Sequence, residues 1–241
     1  MITKTDKAKI LEELGRSDWD VTRELADLEH HMQRHDLPRL RIDHNTEGKH
    51  RFYIDFGESY LAANKQFRFL KVLSLPAIVF AEQQVRALWL ADADQPRCYS
   101  IDGQVLGADP VCKSCEHCPE SIPGFGSCKP KVRLFVLPLL KQVNRPMVMA
   151  LSPTSIKPWR EHQLKLHRSG LPAVAVVTTF ELEDLKSEEF RWARVRVGIR
   201  DIATKENLIA ARAALQSIKH LKGRLVGQDF GETGDRVESE S

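Results

Sequence analysis

Long apolar runs are missing from this 241-residue chain. The longest, LFVLPLL at 134–140, falls well short of the roughly 20 residues a membrane helix needs, so no membrane partner is expected. The opening residues, MITKTDKAKILEEL, are polar and amphipathic where a secretory leader would be apolar, which makes the cytoplasm the expected compartment. Catalytic motifs are missing as well. Neither G-x-x-x-x-G-K-[ST] nor G-x-G-x-x-G occurs to cradle a phosphate, and neither G-x-S-x-G nor H-E-x-x-H occurs to position a nucleophile or a catalytic zinc. Asp92 and Asp94 in LADADQPR fall in a loop and read as surface charge. The expectation is a protein that is not an enzyme. A net charge of +3 is also too small, by itself, to name a polyanionic partner.

What is present is a globular composition, 42% hydrophobic and 29% charged, and a concentration of thiols. Four of the five cysteines, Cys112, Cys115, Cys118 and Cys128, lie within VCKSCEHCPESIPGFGSCK, and Cys98 precedes them in RCYSIDG. Cys112, Cys115 and Cys118 form two overlapping C-x-x-C pairs, a spacing that lets two thiolates reach one ion from a tight turn. Pro119, Pro123, Gly124 and Gly126 break regular structure around them, and Lys113, Lys129 and Lys131 offset thiolate charge. In a reducing compartment, clustered cysteines bind metal more often than they form disulfides. A structural zinc site is therefore expected, with Cys98, Cys115, Cys118 and Cys128 as ligands and Cys112 as the spare thiol; His117 is an alternative donor. Two other readings stand beside it: an iron–sulfur cluster, since C-x-x-C-x-x-C matches the first part of the bacterial run but not its x-x-x-C-P continuation, and ordinary buried or reactive thiols.

Apolar periodicity divides the rest. Residues 5–36 have helical spacing, with Ile10, Leu11 and Leu14 before a break at Gly15 to Asp18, and Val21, Leu25, Leu28 and Met32 after it. His30, His31 and His35 read as a solvated helix face. From Leu37 the period shortens, and LPRLRID and HRFYIDF predict a hairpin across HNTEGK. QFRFLKVLSL is extended, whereas AIVFAEQQVRALWLA fits strand or helix. KVRLFVLPLL and PMVMALSP read as strands. TSIKPWREHQLKLHRSG reads as a helix capped by Thr154 or Ser155, with Pro158 in its first turn and Gly170 at its end. PAVAVVTTFELE and FRWARVRVGIR predict a second hairpin, and ATKENLIAARAALQSIKHLKG a closing helix. The expected organisation is an N-terminal helical segment over 1–36, a zinc-stapled core with a C-terminal helix over 37–221, and a flexible acidic tail over 222–241. The expected fold class is α+β: a β-rich, OB-like barrel core, nominally five-stranded, with a four-cysteine zinc knuckle and flanking helices.

Charge is uneven along this plan. Residues 129–200 hold fourteen Lys and Arg against six acids, while 222–241 hold three basic and five acidic residues. A basic core with an acidic tail is the pattern of a nucleic-acid binder whose tail competes for the groove. Alternation sharpens it: Trp192, Arg194 and Arg196 share one strand face, Lys131, Arg133 and Phe135 another, Arg51 stands with Tyr53, and Arg68 lies between Phe67 and Phe69. Cations that track phosphates among rings that stack bases are what a single-strand binder needs. The opposing reading is that these rings are core and the arginines merely solvated.

CYSIDG, CEHCP, GSCKPKVRLFVL and LSPTSIKPW, read together, resemble a poorly characterised family of zinc-knuckle proteins of phages and mobile elements, associated with OB-like binding of single-stranded DNA. The resemblance spans Cys98 to Trp159, about a quarter of the chain, and implies Cys98, Cys115, Cys118 and Cys128 as zinc ligands; Cys112 departs from the pattern. It also implies that Ser152, Thr154, Ser155 and Lys157 lie near bound phosphates, and Lys129 and Trp159 belong to the same stretch. The expected function is single-stranded nucleic-acid binding, DNA before RNA, in replication, recombination or mobile-element biology. Proteins of those processes would be held through the N-terminal helices or the tail. The alternative is a zinc-organised protein-interaction module of a larger nucleoprotein complex.

Overall fold

The computed structural model of the chain describes residues 37–44, 48–55, 67–70, 72, 74–89, 96–107, 109–122, 126–141, 143, 145–188 and 190–218. The chain divides into two compact units, Met1–Leu37 and Pro38–Ser241, and all the described elements belong to the second. The helices expected within 5–36 and the tail from 222 lie outside the described residues.

Among the described residues, one sheet contains β1 (Arg39–Asp43), β2 (Arg51–Asp55), β3 (Phe67–Phe69), β4 (Ser74–Leu88), β5 (Cys98–Ile101), β6 (Gln104–Leu106), β7 (Lys129–Pro138), β8 (Met147–Leu151), β9 (Val176–Lys186) and β10 (Arg191–Ile202). Helix α1 (Pro153–Arg168) connects β8 to β9, and α2 (Lys205–Ser217) follows β10. The order across the sheet is β10-β9-β4-β7-β8-β1-β2-β3, with the β5–β6 hairpin on the far half of β4. β1 runs parallel to β8, and the remaining pairs are antiparallel.

The segment left open between helix and strand is the longest of the described strands. Leu75 to Phe80 of β4 are buried at every position, as expected of an interior strand covered on both faces. A register shift at Val79/Ala81 bends β4, so its first residues pair with β9 and its last with β5, while β7 lies along its other edge. Strands β4, β7 and β8 thus form a meander, α1 crosses over, and β9 returns to the free side of β4 before turning into β10.

The β1–β2 connection reaches across to the β9–β10 end of the sheet. His44 Nδ1, just after β1, accepts the Ala193 N–H of β10 at 3.1 Å, and His50 Nε2 lies 3.0 Å from Asp184 Oδ1 on β9. The sheet therefore curls around one interior, where Leu40, Ile54, Leu134, Met149, Phe180 and Val195 pack together with Trp159 of α1. Ser155, Ile156, Trp159, His162 and Leu166 form the buried stripe of α1 at the three- and four-residue spacing of a helix face. Ser152 is the N-cap residue and Pro153 opens the helix, so it starts earlier than the expected Thr154 or Ser155 cap; proline suits that first position. Thr204 and Asn207 form a reciprocal capping box at the start of α2.

Over the described residues the fold is α+β and β-rich, a curled sheet with two helices, compatible with an OB-like core. The nominal five strands become ten because β1–β2–β3 and the β5–β6 hairpin join the same sheet.

Candidate functional site

The cysteines come from three places in the fold. Cys98 opens β5 opposite Leu88 of β4, Cys128 sits immediately before β7, and Cys112, Cys115 and Cys118 occupy the connection between β6 and β7. Local chemistry holds this connection in shape. A 3-10 turn, Pro119–Ser121, follows Cys118, whose carbonyl accepts the Ser121 N–H at 2.9 Å. The Glu120 carbonyl accepts the Cys128 N–H at 2.9 Å, and its carboxylate accepts the Ser127 N–H at 3.1 Å. At Gly126 a Cβ would lie 2.0 Å from that same Glu120 carbonyl, so only glycine permits the approach. Arg86 of β4 donates to the Ser121 carbonyl at 3.3 Å and ties the turn to the sheet.

All five cysteines line one cavity, together with Ser100 and Glu120. Cys98, Cys118 and Cys128 are buried, Cys112 and Cys115 half-buried, and His117 is exposed. Among the described residues no three His, Cys, Asp or Glu side chains are arranged as a metal site. Burial, and then the proximity of Cys98 and Cys115, push the Cys128 thiol up to about 12. The Cys112 thiol is raised too, first by its hydrogen bond to Cys118. Cys112 and Cys128 thus resist ionisation when alone, whereas a divalent cation beside a thiol reverses the sign and takes the place of its proton. An all-sulfur donor set of this kind fits zinc or an iron–sulfur cluster rather than magnesium or calcium.

The residues expected to touch nucleic acid are divided by the structure. In β10, Ala193 and Val195 are buried while Trp192 and Arg194 are half-buried and Arg196 is exposed, which follows the expected alternation. Arg194 is paired with Glu183 across the hairpin, at 2.8 Å through Nε. The Trp192 indole Nε1 is shut away from water without a hydrogen-bond partner. Arg51 is exposed and paired with Asp43 at 3.1 Å, and Tyr53 beside it on the same strand is half-buried. Lys129 and Lys157 are exposed. Arg68 lies in β3, which pairs with β2; its side chain is outside the described residues.

Lys131, Arg133 and Trp159 need correction, since their relative exposures are 4%, 2% and 0%. β7 lies between β4 and β8 with every residue from Lys131 to Pro138 buried, so its alternation leaves no face to solvent. Gln83 of β4 accepts from the Arg133 guanidinium at 3.3 Å. Trp159 fills the core and donates its Nε1–H to Glu82 at 3.0 Å, against a carboxyl whose pKa burial raises. Ser155, expected near phosphates, is also buried, and its Oγ accepts the Val195 N–H at 2.9 Å.

Phe190 escaped the sequence reading. It stands in the β9–β10 turn with 69% of its surface exposed, between a main-chain bond from Ser187 N–H to its carbonyl at 2.8 Å and a 3.1 Å bond from its own N–H to Ser187 Oγ. The available signal was an aromatic placed in the otherwise polar turn KSEEFR. Arg160, exposed on α1 one turn from Lys157, was likewise passed over. Among the described residues no helix is long and apolar enough to cross a membrane. Comparison with protein-family models, with curated proteins and with solved structures yields no match.

Proposed function

We propose that this is a zinc-stapled, non-enzymatic protein that binds single-stranded nucleic acid, DNA in the first instance, in the setting of replication, recombination or mobile-element biology. The observation that carries the metal half is the gathering of five cysteines from three separate segments around one cavity. Cys98, Cys115, Cys118 and Cys128 would hold the ion, which when bound would supply no chemistry beyond fixing the β6–β7 connection to the sheet.

The chain order supports the binding half. A meander of three strands, a helix, and a returning hairpin whose first strand pairs with the first strand of the meander is the connectivity of an OB core. In that scheme the cysteine connection links the first and second strands, and the β9–β10 turn with Phe190 links the fourth and fifth; OB folds bind oligonucleotides through these two loops. Trp192, Arg194 and Arg196 on the outward face of β10, with Phe190 beyond them, would give stacking and phosphate contacts, and Lys157 and Arg160 would add cations from α1. Lys131, Arg133 and Trp159 have no part in this face, because they are buried.

Fluorescence-anisotropy titration of labelled single-stranded and duplex DNA at two salt concentrations, with zinc quantified in the same sample, tests both halves. Salt-sensitive preference for single strands with one zinc per chain is expected, because released counterions make affinity fall with salt. Salt-independent affinity, or none, sinks the binding half.

A zinc-organised interaction module is favoured by one observation: Ile199, Ile202, Leu208 and Ile209 are exposed at the end of β10 and on α2, where a protein partner would cover them. Stoichiometric zinc without nucleic-acid affinity selects that reading, and iron in place of zinc selects an iron–sulfur protein.

A further inference from the structure

We propose that Cys98, Cys115 and Cys118 close as a common tripod on one metal ion when it binds, and that Cys112 and Cys128 are alternative fourth ligands which exchange at it. This rests on reading the thiol cavity as a zinc site. A closed tetrahedral site uses four ligands, yet five thiols line the same cavity. The fifth is not remote: Cys112 lines the cavity with Cys118.

The neighbourhoods of the two candidates overlap in the same three residues. Cys128 and Cys112 both line the cavity that Cys98, Cys115 and Cys118 line. Spacing allows both arrangements as well. Cys112 and Cys115 form one C-x-x-C pair and Cys115 and Cys118 the other, so a tripod containing Cys115 and Cys118 can be completed from the same loop or from the start of β7.

The two candidates differ in how the backbone holds them. Cys128 is buried, its N–H is bonded to Glu120, and it leads directly into β7. Cys112 is half-buried in a stretch without helix or strand. With Cys128 bound, the ion ties the loop to β7; with Cys112 bound, the loop closes on itself and the thiol at the strand end is released. The exchange therefore changes whether the metal reports to the sheet. No electron transfer or bond cleavage in the chain is involved, only the swap of one sulfur donor for another.

The test uses the full chain and its Cys112→Ser, Cys128→Ser and Cys112→Ser/Cys128→Ser variants, with metal per chain measured after purification with zinc. Replacement of zinc by cobalt(II) then reads the number of sulfur donors from the ligand-field and charge-transfer bands. Each single variant is expected to hold one metal with a four-sulfur cobalt spectrum, and the double variant to lose that spectrum and more than about tenfold in metal affinity. Loss of the four-sulfur spectrum in Cys128→Ser alone, or in Cys112→Ser alone, overturns the exchange and fixes the ligand set. Absence of metal from the wild-type chain defeats the zinc reading itself, and the exchange with it. Should a serine variant fail to fold, alkylation of the zinc-loaded wild-type chain with N-ethylmaleimide decides. Label divided between Cys112 and Cys128 supports exchange, and label confined to one of them overturns it.

Discussion

β7 and β10 read almost alike as sequence. KVRLFVL and RWARVRV both alternate cations with apolar and aromatic residues, and both suggest a basic strand face. In the folded chain, β7 is buried on both faces between β4 and β8, whereas β10 ends the strand order and turns Trp192, Arg194 and Arg196 outward. Period-two alternation thus tells which residues share a face, and nothing about whether that face meets water. Place in the sheet order decides that. The same lesson separates the two tryptophans, since Trp159 is fully buried on α1 while Trp192 lies on the outward face of β10.

The comparison can be broken by substitution. Trp159→Ala is expected to cost about 3–5 kcal/mol in urea unfolding, the range for deleting a large buried ring. Trp192→Ala should cost only about 1 kcal/mol. Equal losses would mean that the two rings occupy equivalent surroundings. Arg133→Ala follows at about 2–3 kcal/mol, because it leaves Gln83 without the donor it now has, while Arg196→Ala stays within about 0.5 kcal/mol.

Acid sharpens the contrast from the buried side. His162 packs beside Trp159 with ring centroids 5.4 Å apart and bonds Thr178 Oγ1 at 3.3 Å; burial, and secondarily Lys165, lower its pKa from 6.5 to about 4. Between those values the unfolded chain takes up a proton that the folded chain refuses. Stability is therefore expected to fall as pH drops through 6.5 toward 4, by about 3 kcal/mol at most, and to level off below. Unfolding midpoints across that window, in wild type and His162→Gln, check it: the variant should lose this part of the acid limb.

On the exposed side the expected effects are on binding. Phe190→Ala should remove about 1–3 kcal/mol of single-strand affinity by anisotropy with unfolding unchanged. Arg196→Ala and Lys157→Ala should each flatten the slope of log affinity against log salt by roughly one, the smallest expected change.

Much of the chain path could be read from residue order. The two hairpins, β1–β2 and β9–β10, lie where alternation and polar turns put them, and α1 occupies the stretch between Ser152 and Ser169. Cys98, distant from the C-x-x-C pairs in sequence, lines the same cavity as they do. What escaped reading depends on partners distant in sequence. β4 has a run of apolar residues that suits strand or helix, and pairing with both β7 and β9 settles it. Arg133 reads as a surface cation until Gln83, fifty residues away, is placed beside it. Phe190 was hidden for the opposite reason: a lone ring in a polar turn has no periodicity to announce it.

The contact between the β1–β2 connection and β10 has a bearing on self-association. An end strand normally offers a row of bare amides and carbonyls on which a foreign strand can template itself. On β10 two of those amides are already taken, Ala193 N–H by His44 Nδ1 and Val195 N–H by Ser155 Oγ, each acceptor reaching in from another element. A side chain that fills an amide's one valence also denies it to any incoming backbone. The imidazole and the hydroxyl thus act as sentries against fibrous growth along the very strand that turns Trp192, Arg194 and Arg196 outward.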